Sequence, residues 1–293
     1  MNEREDKHKP ELGQHSYIIS DSIPDAGPGR YLQALDLKWL VLYFRRLVKD
    51  NNRIIKLGIF FFPLIFVILV IVLKWNHPWF YKVLIWQEDS IGEYITAIFY
   101  FLSCLISFSI SVCFYKSRSK LQSLPYFVLT GCFFFIGMEE ISWGQRLMGV
   151  ATPEIFEKCN KQDEMNFHNL KGFPLHTLYI IVGLYGALAR SLVPKSIIRK
   201  SKALVNYFIP DYYLIFYFLI TAVLYLYYEY FSSVLVILLG DQFAWGYNHF
   251  VHGKDQEAAE LLLSIGFFLF VIINKYRQLW NKDNIFLVTV HRK

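Results

Sequence analysis

Apolar residues dominate six stretches of the chain, at roughly 54–74, 92–115, 125–143, 176–193, 211–239 and 258–274, and polar residues collect between them. Continuous runs of about 17–25 apolar residues are what a helix needs to cross ~30 Å of hydrocarbon, whereas a membrane β-barrel shows short alternating segments. The pattern therefore predicts an all-α, polytopic membrane helix bundle of about six transmembrane helices spanning 54–276. The fifth stretch is too long for one crossing. A span starting near Tyr212 reaches the far surface near Glu229, which leaves 231–239 to lie in the interface or re-enter. Before the first span, Leu37, Leu40, Val41, Phe44 and Leu47 recur at helical spacing beside Lys38, Arg45, Arg46 and Lys49. Residues 37–53 read either as an amphipathic interfacial helix or as the cytoplasmic flank of the first span. Residues 1–36 are polar, carry Pro24, Gly27, Pro28 and Gly29, and lack the apolar core of a signal peptide, so they read as a flexible cytoplasmic tail.

Charge then orients the spans. The connections 116–124 and 190–210 hold Lys116, Arg118, Lys120, Arg190, Lys195, Arg199, Lys200 and Lys202, and the flanks before 54 and after 274 are also basic. By the positive-inside rule these four regions are cytoplasmic, with both termini on that side and 277–293 as a second cytoplasmic tail. The loops 75–91, 144–175 and 240–257 are then extracytoplasmic. Among 293 residues, 55% are hydrophobic and 18% aromatic, which excludes an ordinary soluble protein. The net charge of +6 sits in the connections, where it reports topology and gives no reason to expect nucleic acid. Cys104, Cys113 and Cys132 fall inside apolar runs and Cys159 in a loop, so no disulfide framework is implied.

The chemistry gathers at the outer end. Glu139 and Glu140 lie about two-thirds along the third span, ~20 Å from its start at ~1.5 Å per residue. A charge at such depth costs a few kcal/mol or more, so it is expected to face protein, a metal or a wet cavity. If the helix continues through Arg146, Glu139 shares a face with Trp143 and Arg146. The two glutamates then read as metal ligands or an acid/base pair, or as a structural ion pair with Arg146. His168 and His176, in and beside the long loop 144–175, are candidate bases or ligands, or packing residues. Gln145, Asn169, Thr152 and Glu154 are candidate contacts for a polar ligand, though Thr152-Pro153-Glu154 is equally a helix start. Glu257 and Glu260 stand i, i+3 on the first turn of the last span, with Ser264 on the same face; they point inward together or merely complement the helix dipole. Glu88, Asp89 and Glu93 open the second span as either a metal-holding acidic group or a water-facing helix start. His249 and His252 lack the spacing of a zincin helix.

The blocks Glu-Asp-Ser-Ile-Gly-Glu (88–93), Glu-Glu-Ile-Ser-Trp-Gly-Gln-Arg (139–146), Thr-Pro-Glu (152–154) and Asn-Phe-His-Asn-Leu (166–170) together resemble a family of uncharacterised bacterial multi-pass membrane proteins. The resemblance covers about residues 85–172. In that family the last block usually has leucine before the histidine; Phe167 replaces it here and leaves His168 in register. The resemblance implies the bacterial inner membrane and no activity. The combined expectation is a metal-dependent hydrolase or group transferase acting on a membrane lipid or lipid-linked substrate. Glu139, Glu140 and His168 would be catalytic, and Trp143, Gln145, Arg146 and Asn169 would meet the substrate. Glu93, Glu140, His168 and Glu257 would bind a divalent metal such as Zn or Mg. The competing expectations are an ion- or proton-coupled transporter, in which buried carboxylates carry the ion, and a scaffold without catalysis.

Overall fold

The computed structural model describes residues 53–86, 89–117, 119–160, 164–231, 234, 237–238 and 255–290, and these form an all-α, polytopic membrane bundle. The expected tail 1–36, the interfacial helix expected at 37–53 up to its last residue, Glu88, and the stretch 239–254 with His249 and His252 lie outside the described residues. Among the described residues six helical segments are long and apolar enough to cross a membrane. They are built on α1 (Arg53–Asn76), α3 (Ile91–Lys116), α4 (Lys120–Glu140), α7 (Leu175–Leu192), α10 (Ile215–Leu226) and α11 (Gln256–Val290). Short helices join them: α2 (Pro78–Tyr81), α5 (Gln145–Met148), α6 (Glu154–Cys159), α8 (Lys195–Lys200) and α9 (Lys202–Phe208). The end of α9 leads into α10 and a π turn at Tyr227–Phe231 prolongs it, so this apolar segment runs from Val205 to Phe231. The helix α11 continues to Val290, past the boundary expected at 276.

Close packing follows the small residues. The helices α3 and α4 share a long face, crossed by a reciprocal pair in which Ser111 Oγ donates to the Ser123 carbonyl at 3.0 Å and Ser123 Oγ to that of Ser111 at 2.9 Å. Without water in the hydrocarbon, such hydroxyls need protein partners, and helices approach where side chains are small. Gly183 and Gly186 do the same for α7 and α10: a Cβ at Gly186 would lie 2.2 Å from the Phe218 ring, and one at Gly183 2.7 Å from the Phe218 carbonyl. The last helix packs on both α3 and α10, and α1 rests on α10 with most of its surface outward. The order α4–α3–α11–α10–α7 thus curls into an open ring around an aromatic centre of Tyr100, Phe133, Phe218 and Phe267.

The ring has two unlike ends. At one, Lys116, Lys120 and Arg190 stand at the termini of α3, α4 and α7, beside Lys275 and Arg277 of α11. There Asp211 pairs with Arg190 at 3.1 Å and with Arg277, and accepts from the Tyr213 hydroxyl at 2.8 Å. At the other, α4 ends and α3, α7 and α11 begin, which brings their acidic residues and histidines together. There Lys74 of α1 holds Asp255 at 2.5 Å and Tyr81 donates to the same carboxylate, tying α1 and α2 to the start of α11.

Candidate carboxylate site

The helix α4 stops at Glu140, and its expected continuation through Arg146 does not form. Ser142, Trp143 and Gly144 all take positive φ, at 46°, 54° and 77°, before the chain turns back into helix at Gln145. Only glycine occupies this region without strain, so two side-chain-bearing residues are held there by their contacts. Ser142 Oγ donates to Glu164 Oε2 at 2.5 Å, and Asn166 donates to the same oxygen at 2.7 Å. Asn160 in turn donates to the Asn166 carbonyl at 2.9 Å and its Oδ1 at 2.8 Å. Gln145 spans the loop, donating to Thr152 Oγ1 and accepting from the Met165 amide, at 2.5 and 2.6 Å.

The adjacent glutamates part company at this break, because neighbours on a helix point about 100° apart. Glu139 turns toward the loop and is buried. Its Oε1 accepts from Trp143 Nε1 at 2.5 Å, and its Oε2 from the amides of Phe167 and His168 at 2.6 and 2.9 Å, with His168 Nδ1 at 3.4 Å. This carboxylate is a clamp that sets the loop and the His168 ring against the bundle. Glu140 turns to the interior, where it meets Glu257 and Glu260 from the first two turns of α11. One oxygen from each of these three carboxylates lies within 4.8 Å of the others.

A polar pocket forms around the triad, lined also by Asp89, Glu93, Ser142, Glu164, His168, Asn169 and Gln256. Glu93 reaches it from the start of α3, where it also completes a capping box with Ser90: the Glu93 amide donates to Ser90 Oγ and the Ser90 amide to Glu93 Oε2, both at 3.2 Å. Glu260 is held from the far side by the buried Tyr225 hydroxyl, which donates to its Oε1. Tyr179 stacks on Tyr225 at 4.4 Å, and His176, paired with Glu229 at 2.7 Å, stands 5.3 Å from the same ring. Three carboxylates this close repel one another unless a cation or shared protons intervene. Oxygens within 4.8 Å of one another lie inside the span of ligands on a single ion with bonds of ~2.3–2.6 Å.

Of the metal candidates read from sequence, Glu140, Glu257, His168 and Glu93 line one pocket, and Glu260 joins them as a third triad member. The i, i+3 spacing of Glu257 and Glu260 carried that signal. Among the substrate candidates, Asn169 lines the pocket, whereas Trp143 and Gln145 are engaged in holding the loop. The Arg146 side chain lies outside the described residues. Glu164 and Tyr225 had no sequence signal: one is an acid in a polar loop, the other a tyrosine in an aromatic-rich span. No family model, curated protein or solved structure matches the chain.

Proposed function

We propose that the chain is an integral membrane enzyme, a metal-dependent hydrolase or group transferase acting on a lipid or lipid-linked substrate. The observation that carries this reading is the convergence of Glu140, Glu257 and Glu260 inside one end of an apolar bundle. Intramembrane acids are costly and mark functional sites. A divalent ion on these carboxylates would supply Lewis acidity and an activated water. His168, on the wall of the same pocket, is placed to take a proton, and the Glu139 clamp fixes its position. Asn169 brings a neutral side-chain amide to the same wall for a polar head.

In this reading the pocket faces the extracytoplasmic side, which the basic connections favour, of the bacterial inner membrane that the resemblance implies, and membrane lipids are its substrates. Transport is the weaker reading: beyond the triad the centre of the bundle is filled by Tyr100, Phe133, Phe218 and Phe267, among the described residues, and carboxylates do not continue as a relay.

The test is metal analysis of purified wild type beside Glu140→Gln and Glu260→Gln, with lipid mass spectrometry of cells lacking the gene. Wild type should carry a stoichiometric divalent metal that both variants lose, and a lipid should accumulate. Equal metal content in all three proteins with an unchanged lipid profile would refute the proposal.

A further inference from the structure

The open ring leaves a cleft between its two end helices, α4 and α7, and this cleft adjoins the triad. Its volume is about 530 Å³, within the range of cavities that hold small molecules. Leu129 and Phe135 of α4, Leu178 and Val182 of α7, and Leu263 and Phe267 of α11 give it apolar walls. Glu139, Glu140 and His168 stand at one end of it, so Glu140 and His168 belong to both the cleft and the polar pocket.

The dimensions carry the argument. From Leu129 to Glu140 is eleven residues of α4, or ~16 Å at ~1.5 Å per residue. That is about half of the ~30 Å hydrocarbon thickness, the depth of one leaflet. The walls are also open sideways: Gly131 and Cys132 are exposed, and Phe135 and Leu178 are 43% and 47% exposed on the surface that faces lipid. A water-soluble substrate gains nothing from an apolar slot of this depth, whereas a hydrocarbon chain gains burial along its whole length at about 0.8 kcal/mol per methylene when it leaves water, and shape-matched packing when it leaves lipid.

We infer that the cleft binds one hydrocarbon chain of a membrane amphiphile, drawn sideways from the leaflet facing the site, with its head group at Glu140 and His168. This rests on the proposed function and names its substrate class: a lipid engaged by a single chain, any second chain staying in the bilayer. Position 131 sits toward the deep end of the slot, nine residues from Glu140, and a Cβ there would meet nothing within 4 Å. A large side chain at 131 therefore fills cleft space without displacing protein.

The test is photolabelling of the purified full chain in lipid nanodiscs with a lysophospholipid bearing a diazirine near the end of its acyl chain. Label should concentrate in peptides covering 129–136 and 175–182, be displaced by unlabelled lysophospholipid, and fall at least tenfold in Gly131→Trp. The outward face of α1, with Ile65 and Ile68 exposed, is the internal control for ordinary lipid contact. Val182→Trp blocks the opposite wall and serves if Gly131→Trp fails to fold. Label spread evenly over α1 and the cleft, or unaffected by either folded tryptophan variant, overturns the inference. Metal content measured on the same samples separates the two claims. Metal without cleft labelling sinks the chain site alone, and cleft labelling in a protein that never holds metal sinks the enzyme reading alone.

Discussion

Replacing Glu139 by glutamine tests whether this residue is the clamp of the site. The carboxylate accepts three hydrogen bonds, two from backbone amides of the loop and one from the Trp143 indole, with the side chain only 5% exposed. A glutamine amide has one oxygen and one NH2, so whichever way it turns, one side faces donors with a donor. If the oxygen keeps the Phe167 and His168 amides, each bond drops from the charged to the neutral class, a loss of about 1 kcal/mol apiece. The Trp143 N–H is then unsatisfied at a further cost of about 1–3 kcal/mol. The total is about 3–5 kcal/mol, of which about 2 kcal/mol falls on the two loop amides. At ~1.4 kcal/mol per tenfold, these amides should exchange hydrogen roughly 30-fold faster in Glu139→Gln, read by mass spectrometry of peptides covering 164–170. Adding Trp143→Phe removes the stranded donor and should recover part of the thermal stability lost. Exchange at Phe167 and His168 within threefold of wild type would refute the clamp.

Other variants probe the scaffold and the triad. Gly186→Leu, which would drive a side chain into the Phe218 ring, should cost at least about 3 kcal/mol through forced separation of α7 and α10, seen as a lower melting temperature in detergent; a wild-type melting curve would contradict the close seam. Asp211→Ala leaves Arg190 and Arg277 together without their shared counter-charge, and should cost about 3–5 kcal/mol, measured the same way, with no change in metal content. Tyr225→Phe removes the hydroxyl that orients Glu260 and should weaken metal affinity by about 10–100-fold in a chelator competition, while leaving the fold intact. Protons compete with a cation for carboxylates, so metal held by the triad should be released on acidification and regained on return to neutral pH, followed by equilibrium dialysis.

The spans were legible because an apolar run of membrane length has few alternatives, and Glu140, Glu257 and His168 stood out because polar groups near such runs are rare. The division of labour between Glu139 and Glu140 was not. It depends on where α4 ends, and nothing in Ile-Ser-Trp-Gly announces that serine and tryptophan adopt left-handed backbone; periodicity alone runs the helix on to Arg146. The contacts that enforce the break come from Glu164 and Asn166, some twenty residues later in a loop with no periodic pattern. The partner of Glu260 was equally hidden, since Tyr225 lies in a span where tyrosine is common and only the packing of α10 on α11 aims its hydroxyl.

The glycine seam between α7 and α10 and the shared face of α3 and α4 make two stiff helix pairs, both leaning on α11. Each helix satisfies its own backbone, so the polar tie between the free edges of those pairs is the loop that leads from α4 to α7, held at its Phe167 and His168 amides by Glu139.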